Sequence, residues 1–196
     1  MAMKRDHREG IAHGPIDLSK AGSGNFRRTR DRNVEALWIL VEFLFVYNPL
    51  QVSSRLRRLL LRAFGAHIGK NVILRPRLRV KFPWNLWIGD NCWIGEGVWI
   101  HNQALVTIEE NVVLSQEAFV TTGSHDIQKS MDLVVTPVRI RRGAWVTTRC
   151  IVLKGAEIGE NAVVTPGSVV PKSLPSNGVY GGNPAELIRE RWKDTP

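Results

Sequence analysis

A parallel β-solenoid with helices at its start is what this sequence predicts, and three features predict it. Aliphatic residues recur at every sixth position from Ile68 to Val170. A second column, mostly of small residues, follows each aliphatic by four positions. Gly69, Gly89, Gly95 and Gly159 come directly after their aliphatics, where a tight corner tolerates little side chain.

The first column runs Ile68, Leu74, Val80; Ile88, Ile94, Ile100; Ile108, Leu114, Val120; Ile140, Val146, Val152; and Ile158, Val164, Val170. All fifteen are Ile, Leu or Val, although those types make up only about a quarter of the chain. The second column runs Val72, Leu78, Trp84, Cys92, Val98, Ala104, Val112, Ala118, Ser124, Ala144, Cys150, Ala156, Ala162, Ser168 and Leu174. A period of six suits neither an α-helix nor a simple strand. It suits a short strand plus a corner, repeated as the flat sides of a prism whose aliphatics fill the interior. Stacked coils then form parallel sheets with hydrogen bonds along the solenoid axis. Cys92 and Cys150 fall in the inward small column, which makes them buried spacers.

Ahead of the repeat, residues 1–33 show no periodicity and predict a flexible or loosely docked basic arm. Residues 34–66 predict a helical cap. Leu37, Leu40, Val41, Leu44 and Phe45 share one face of a first helix that Pro49 ends. Leu56, Leu59, Leu60 and Ala63 share one face of a second, which Gly65 ends. Both are too short to span a bilayer, but an apolar face beside an Arg-rich one also fits peripheral contact with a membrane surface through 34–64. The solenoid occupies 67–182, with a loop at 125–139. Asn183-Pro184 reads as the start of a short C-terminal helix running to Trp192 within a terminal segment 183–196.

The chain carries 27 Lys and Arg against 18 Asp and Glu, for a net charge of +9. Residues 55–81 hold nine basic side chains and no acid, whereas residues 82–196 hold ten against twelve. Such a patch fits a polyanion, an anionic membrane or a phosphate-bearing substrate, or simply a solvated face. No nucleic-acid-binding module accompanies it. Two cysteines form no disulfide framework, and no secretory signal opens the chain, which points to the cytoplasm.

The aliphatic-Gly-x-x-small-x pattern over roughly residues 68–192 resembles the hexapeptide-repeat acyltransferases. Phe82-Pro83-Trp84, Thr122-Gly123-Ser124-His125-Asp126 and the tail from Lys172 to Ala185 narrow it. They are similar to the bacterial sugar O-acetyltransferases of the colanic-acid type. That resemblance implies a left-handed, three-sided β-helix and an acetyl group moved from acetyl-CoA to a saccharide hydroxyl in exopolysaccharide or surface polysaccharide biosynthesis. It also implies a homotrimer with sites between subunits, acting in the cytoplasm or at the inner membrane face.

The register of the columns breaks at three places, and the largest break, between Val120 and Ile140, loops about fourteen residues out of the prism. A long excursion on a rigid scaffold is where binding or chemistry is expected. His125 stands at its start, just after the inward column position of Ser124. Attack of a hydroxyl on a thioester needs a base, and imidazole suits that task near neutral pH; the resemblance gives His125 that role. Asp126 is a candidate to orient the imidazole or contact the acceptor. By the same resemblance Asn102 is an acceptor contact, and Trp145, Thr147, Thr148, Pro166, Lys172 and Arg189 line the acetyl-CoA site. Lys172 and Arg189 would meet phosphates. Pro166 lacks the backbone N–H that relatives can offer there. No metal is expected. Three other readings share the fold. One is a γ-type zinc carbonic anhydrase using His67, His101 and His125. Another is a non-catalytic scaffold that binds a polyanion. The last is an acyltransferase fed by acyl carrier protein.

Overall fold

The computed structural model describes residues 15–192; residues 1–14 of the expected arm and 193–196 of the expected tail lie outside the described residues. From His67 onward each repeat folds as a strand of two or three residues followed by a turn, and the strands stack into three parallel sheets. The first side stacks His67–Ile68, Leu86–Ile88, Val106–Ile108, Val138–Ile140 and Glu157–Ile158. The second stacks Ile73–Leu74, Trp93–Ile94, Val113–Leu114, Trp145–Val146 and Val163–Val164, then Gly178–Gly181. The third stacks Arg79–Val80, Trp99–His101, Phe119–Thr121, Ile151–Val152 and Val169–Val170. Coil-to-coil bonds such as Trp93 N–H to the Val112 carbonyl (3.0 Å) and Trp145 N–H to the Ala162 carbonyl (2.8 Å) run along the axis.

Every one of the fifteen aliphatics is buried, and so are Cys92 and Cys150. Burial pushes the Cys92 thiol up to about 11, so it stays an uncharged spacer. Asn71, Asn91, Asn111 and Asn161 take left-handed backbone at the corner between the first two sides, a conformation asparagine tolerates better than most residues. A Cβ on Gly89 would lie 2.8 Å from the Glu110 backbone nitrogen of the next coil, which is why the corner after the aliphatic is glycine.

Two helices, α1 (Arg32–Val41) and α2 (Ser54–Ala63), cover the first coil. A five-residue π-helical turn, Glu42–Val46, continues α1. The inward faces match the expected ones only in part: Val41 and Leu60 pack against the core, but the most buried positions are others. In α1 and its extension the buried residues are Trp38 and Val46, while Leu37, Leu40 and Leu44 are exposed. In α2 they are Arg57 and Leu61, while Leu59 is exposed. The reason is polar. A terminal coil leaves backbone groups without a neighbouring coil, and such groups must be paired when covered. Trp38 Nε1 donates to the Val80 carbonyl (2.7 Å), and Glu42 accepts from Val80 N–H (2.5 Å). Arg57 donates to the carbonyls of Val46 (3.1 Å), Leu74 (3.3 Å) and Gln51. Arg58 reaches the Val72 carbonyl, and Arg62 those of Ile68 and Gly69. Part of the basic run is therefore spent inside the cap.

The far end also departs from expectation. Glu186–Glu190 is a strand, not a helix, and pairs antiparallel with Gly178–Gly181. The last coil offers a free sheet edge, and pairing with it outweighs the helix propensity of the segment.

Outward-facing residues divide the three sides. The first side presents Trp87, Thr107, Arg139 and Glu157. The second presents Ile73, Trp93, Val113, Trp145 and Val163, and the third Trp99, Phe119, Ile151 and Val169 above Arg79. Two faces of the prism are thus largely apolar and one is largely polar.

Candidate active site

The register breaks share one corner, between the third side and the first. Trp84, Ala104 and Ser124 should have been inward there, but each is only half-buried. Asn102 and Thr122 are buried in place of Ala104 and Ser124, whereas in the first coil Trp84 still packs against the core and Phe82 stacks on Phe26 and Trp84. The extra residues let the chain turn wide, and the bulge stacks from coil to coil. In the third coil it grows into an antiparallel hairpin, Gly123–His125 with Leu133–Val135. Ser124 pairs with Val134 on that hairpin and does not fill the prism.

His125 is exposed at the end of the first hairpin strand. Its Nδ1 lies 2.8 Å from the Met131 carbonyl, which can only accept, so in the neutral imidazole Nδ1 carries the proton and the lone pair falls on Nε2. The turn beyond it is closed by Asp126. Its Oδ1 accepts from Gln128 N–H (3.0 Å) and Lys129 N–H (3.2 Å), and its backbone carbonyl accepts from Met131 N–H (2.8 Å). Asp126 therefore shapes the loop that places the Met131 carbonyl; the structure records no contact between its carboxylate and the imidazole.

Asn102 does not face a ligand. It is fully buried; its Oδ1 accepts from Phe82 N–H (3.0 Å), and its Nδ2 donates to the carbonyls of Phe82 (2.7 Å) and Asn85 (3.0 Å). All of its hydrogen-bonding capacity toward this turn is in use, so it fastens the corner beneath the hairpin. The expectation for Asn102 is an acceptor contact; in this protomer its amide is turned inward onto the scaffold.

Four of the expected donor-site residues gather at the opposite corner, between the second and third sides. Trp145 stands outward on the second side, with Nε1 donating to Ser115 Oγ (2.8 Å). It lines a groove of roughly 540 Å³ with Arg75, Trp93, Ser115 and Gln116. Thr147 is buried, its hydroxyl on the Val164 carbonyl (2.6 Å). Thr148 binds the Gln116 carbonyl (3.0 Å), and Pro166 is exposed one coil further on. Lys172 and Arg189 are exposed at the last coil and on the C-terminal strand. The third side, whose strand in this coil is Phe119–Thr121, separates this corner from that of the hairpin. His125 is not among the residues that line the Trp145 groove of its own protomer.

Comparison with known proteins places this geometry. The chain is 41% identical over 167 residues to WcaF of Escherichia coli K12, named "putative colanic acid biosynthesis acetyltransferase", covering 85% of this chain and 91% of that one. The chain belongs to the hexapeptide-repeat acyltransferases, in their colanic-acid branch. The galactoside O-acetyltransferase of Escherichia coli K12 is 29% identical over 147 residues, 73% of this chain and 71% of that one. Among solved structures, a maltose O-acetyltransferase from Clostridium difficile 630 matches with a TM-score of 0.74 at 25% identity, over 83% of this chain and 90% of that one. A hexapeptide-repeat acetyltransferase from Vibrio cholerae, complexed with acetyl coenzyme A, has a TM-score of 0.76 at 24% identity and covers 90% and 98%. No protein-family model matches the chain.

This hexapeptide-repeat acyltransferase has the left-handed β-helix of its relatives, as the resemblance implied. The carbonic-anhydrase alternative finds no support in any of these relatives. His67 stacks on Trp87 on the first side (5.0 Å between centroids), and His101 sits on the third side against Thr121 (3.2 Å). Burial, and then the charges of Lys81 and Arg79, push the His101 pKa down. Among the described residues no three His, Cys, Asp or Glu side chains converge as metal ligands. Sequence reasoning missed Arg75, Trp93, Ser115 and Gln116 as groove residues. The signal was available: the position before each second-side aliphatic faces out, and tryptophan recurs there where a solvated surface would carry polar groups.

Proposed function

We propose that this protein moves the acetyl group of acetyl-CoA to a hydroxyl of a saccharide destined for a surface or secreted polysaccharide. One observation carries the reading: His125, on an exposed hairpin, has Nδ1 committed to the Met131 carbonyl and Nε2 free to take a proton. Nε2 accepts the acceptor hydroxyl proton as its oxygen attacks the thioester carbonyl. The tetrahedral adduct collapses, the carbon–sulfur bond breaks, and the imidazolium returns its proton to the CoA sulfur. The family membership and the acetyl-CoA complex of the Vibrio cholerae relative support the donor assignment.

The working unit in this reading is a homotrimer. Two apolar outward faces per protomer, at about 60° to one another in a triangular prism, suit a three-fold ring in which every protomer meets two neighbours and the polar side faces water. The ring would set the hairpin of one protomer beside the Trp145 groove of the next, with Thr147, Thr148 and Pro166 along that groove. Lys172 and Arg189 would meet the phosphates of CoA. Peripheral contact with the inner membrane face is part of the proposal. Leu37, Leu40, Phe43, Leu50 and Val52 are exposed on the cap, and among the described residues no helix is long and apolar enough to cross a membrane. Failure to bind anionic liposomes at low salt would remove that part alone. The transfer itself is tested by thiol release from acetyl-CoA with a panel of saccharide acceptors. Acceptor-dependent release supports it; no binding of acetyl-CoA and no release with any acceptor overturns it.

A further inference from the structure

The described part of the N-terminal arm does not hang free: it lies along the outer strand of the His125 hairpin. Gly22 O accepts from Leu133 N–H (3.1 Å), and Gly22 N–H donates to the Asp132 carboxylate (2.6 Å). Asn25 N–H donates to the Leu133 carbonyl (3.2 Å). The Asn25 amide grips both sides of Val135, with Nδ2 to the carbonyl (2.9 Å) and Oδ1 from the N–H (2.7 Å). Leu133–Val135 is therefore hydrogen-bonded on both edges, to Gly123–His125 on one and to the arm on the other.

The chain is shaped for this contact. Gly24 has φ +52°, and a Cβ there would overlap the Leu133 carbonyl oxygen. Phe26 N–H closes the turn onto the Ser23 carbonyl (3.0 Å). The Phe26 ring stacks on Phe82 (6.1 Å between centroids), which is buried under the same corner, and Arg28 pairs with Glu35 of α1 (2.6 Å). A two-stranded hairpin is marginal on its own in water, and this one carries the hydrogen-bond partner of His125 Nδ1, the Met131 carbonyl. Met131 immediately precedes the strapped segment, and Asp132 O accepts from Asp126 N–H (2.9 Å), so the strap, the loop and the imidazole form one bonded series.

We propose that Gly22–Asn25 is a positioning strap for the base, a role that rests on the acetyltransferase reading of His125. By fixing Leu133–Val135 it holds the Met131 carbonyl under Nδ1 and so keeps Nε2 as the proton acceptor. Gly22 and Asn25 are positioning residues that act through the hairpin; neither touches the imidazole.

The test compares the full-length wild type with Asn25→Ala, which removes both Val135 bonds, and Gly24→Ala, which expels the strap by overlap. Imidazole ¹⁵N shifts of His125 are read without substrate, alongside hydrogen exchange at Leu133 and Val135. In the wild type the strap predicts a predominant Nδ1–H tautomer and protected amides. In both variants it predicts exchange of those amides and a mixed tautomer, with a melting temperature within a few degrees of wild type because the prism core is untouched. With acetyl-CoA and an accepted saccharide, kcat falls about tenfold or more while KM for acetyl-CoA holds. An unchanged His125 tautomer in variants whose Leu133 and Val135 amides exchange freely overturns the strap, and so does an arm already unprotected in the wild type. The tautomer readout needs no turnover, so it separates failure of the strap from failure of the transferase assignment.

Discussion

At the scale of single residues, the structure separates side chains that face chemistry from side chains that hold the scaffold. Asn102 is the sharpest case. It satisfies three backbone groups of the Phe82–Asn85 turn, so Asn102→Ala strands buried donors and acceptors at a cost of about 2–4 kcal/mol. The expected outcome is a lowered melting temperature, with KM for the acceptor unchanged in the folded fraction; a raised KM without loss of stability would contradict this role. Sequence placed His125 at the mouth of the largest register break, where the structure shows it exposed on a hairpin. It could not find that Asn102 is internal. A period of six extrapolated across a break puts Trp84, Ala104 and Ser124 inside; Trp84 does pack against the core, but in the later coils the wide turn buries Asn102 and Thr122 instead. Register arguments hold only while the turn length is constant.

At the scale of elements, the cap shows why apolar periodicity alone misplaces a helix face. The helices and their limits were legible: Ser53 caps α2 by accepting from Leu56 N–H (3.2 Å), and Gly65 ends it with positive φ. Their inward faces were not, because the partner surface is a ring of unpaired carbonyls that calls for donors. Arg57, fully buried, donates to the Leu74 carbonyl of the first coil and ties the cap together through the carbonyls of Val46 and Gln51. Burial lowers its pKa, but the arginine side chain starts so high that it stays charged. Arg57→Leu keeps apolar volume and removes every one of those bonds. It should cost about 3 kcal/mol or more in denaturant unfolding, whereas Arg55→Leu on the exposed side of the same helix should cost less than about 0.5 kcal/mol. Equal effects would mean that the cap is held by packing alone. The C-terminal strand teaches the same lesson: Glu186–Glu190 carries helix-forming residues, and the free edge of Gly178–Gly181 decides its conformation.

At the scale of the whole molecule, the prism is the most legible feature of all. Fifteen aliphatics predicted in one column are fifteen buried residues. The site is less legible, because His125 and the Trp145 groove lie at different corners of one protomer, and the trimer proposed to join them is not spelled out by the sequence. That separation gives a prediction. Mixing His125→Ala with Trp145→Ala, each inactive or weak alone, and letting protomers exchange should restore about one competent site in four if the site spans two protomers of a trimer. No recovery, with trimers confirmed to have mixed, would place the whole site within one chain.

The most direct measurement is acetyl-CoA turnover with an accepted saccharide for wild type and His125→Ala, together with acetyl-CoA binding to both. The account predicts that kcat falls about 10²- to 10⁴-fold in the variant while the dissociation constant for acetyl-CoA stays within about twofold. A variant that binds acetyl-CoA and turns over at the wild-type rate would contradict it.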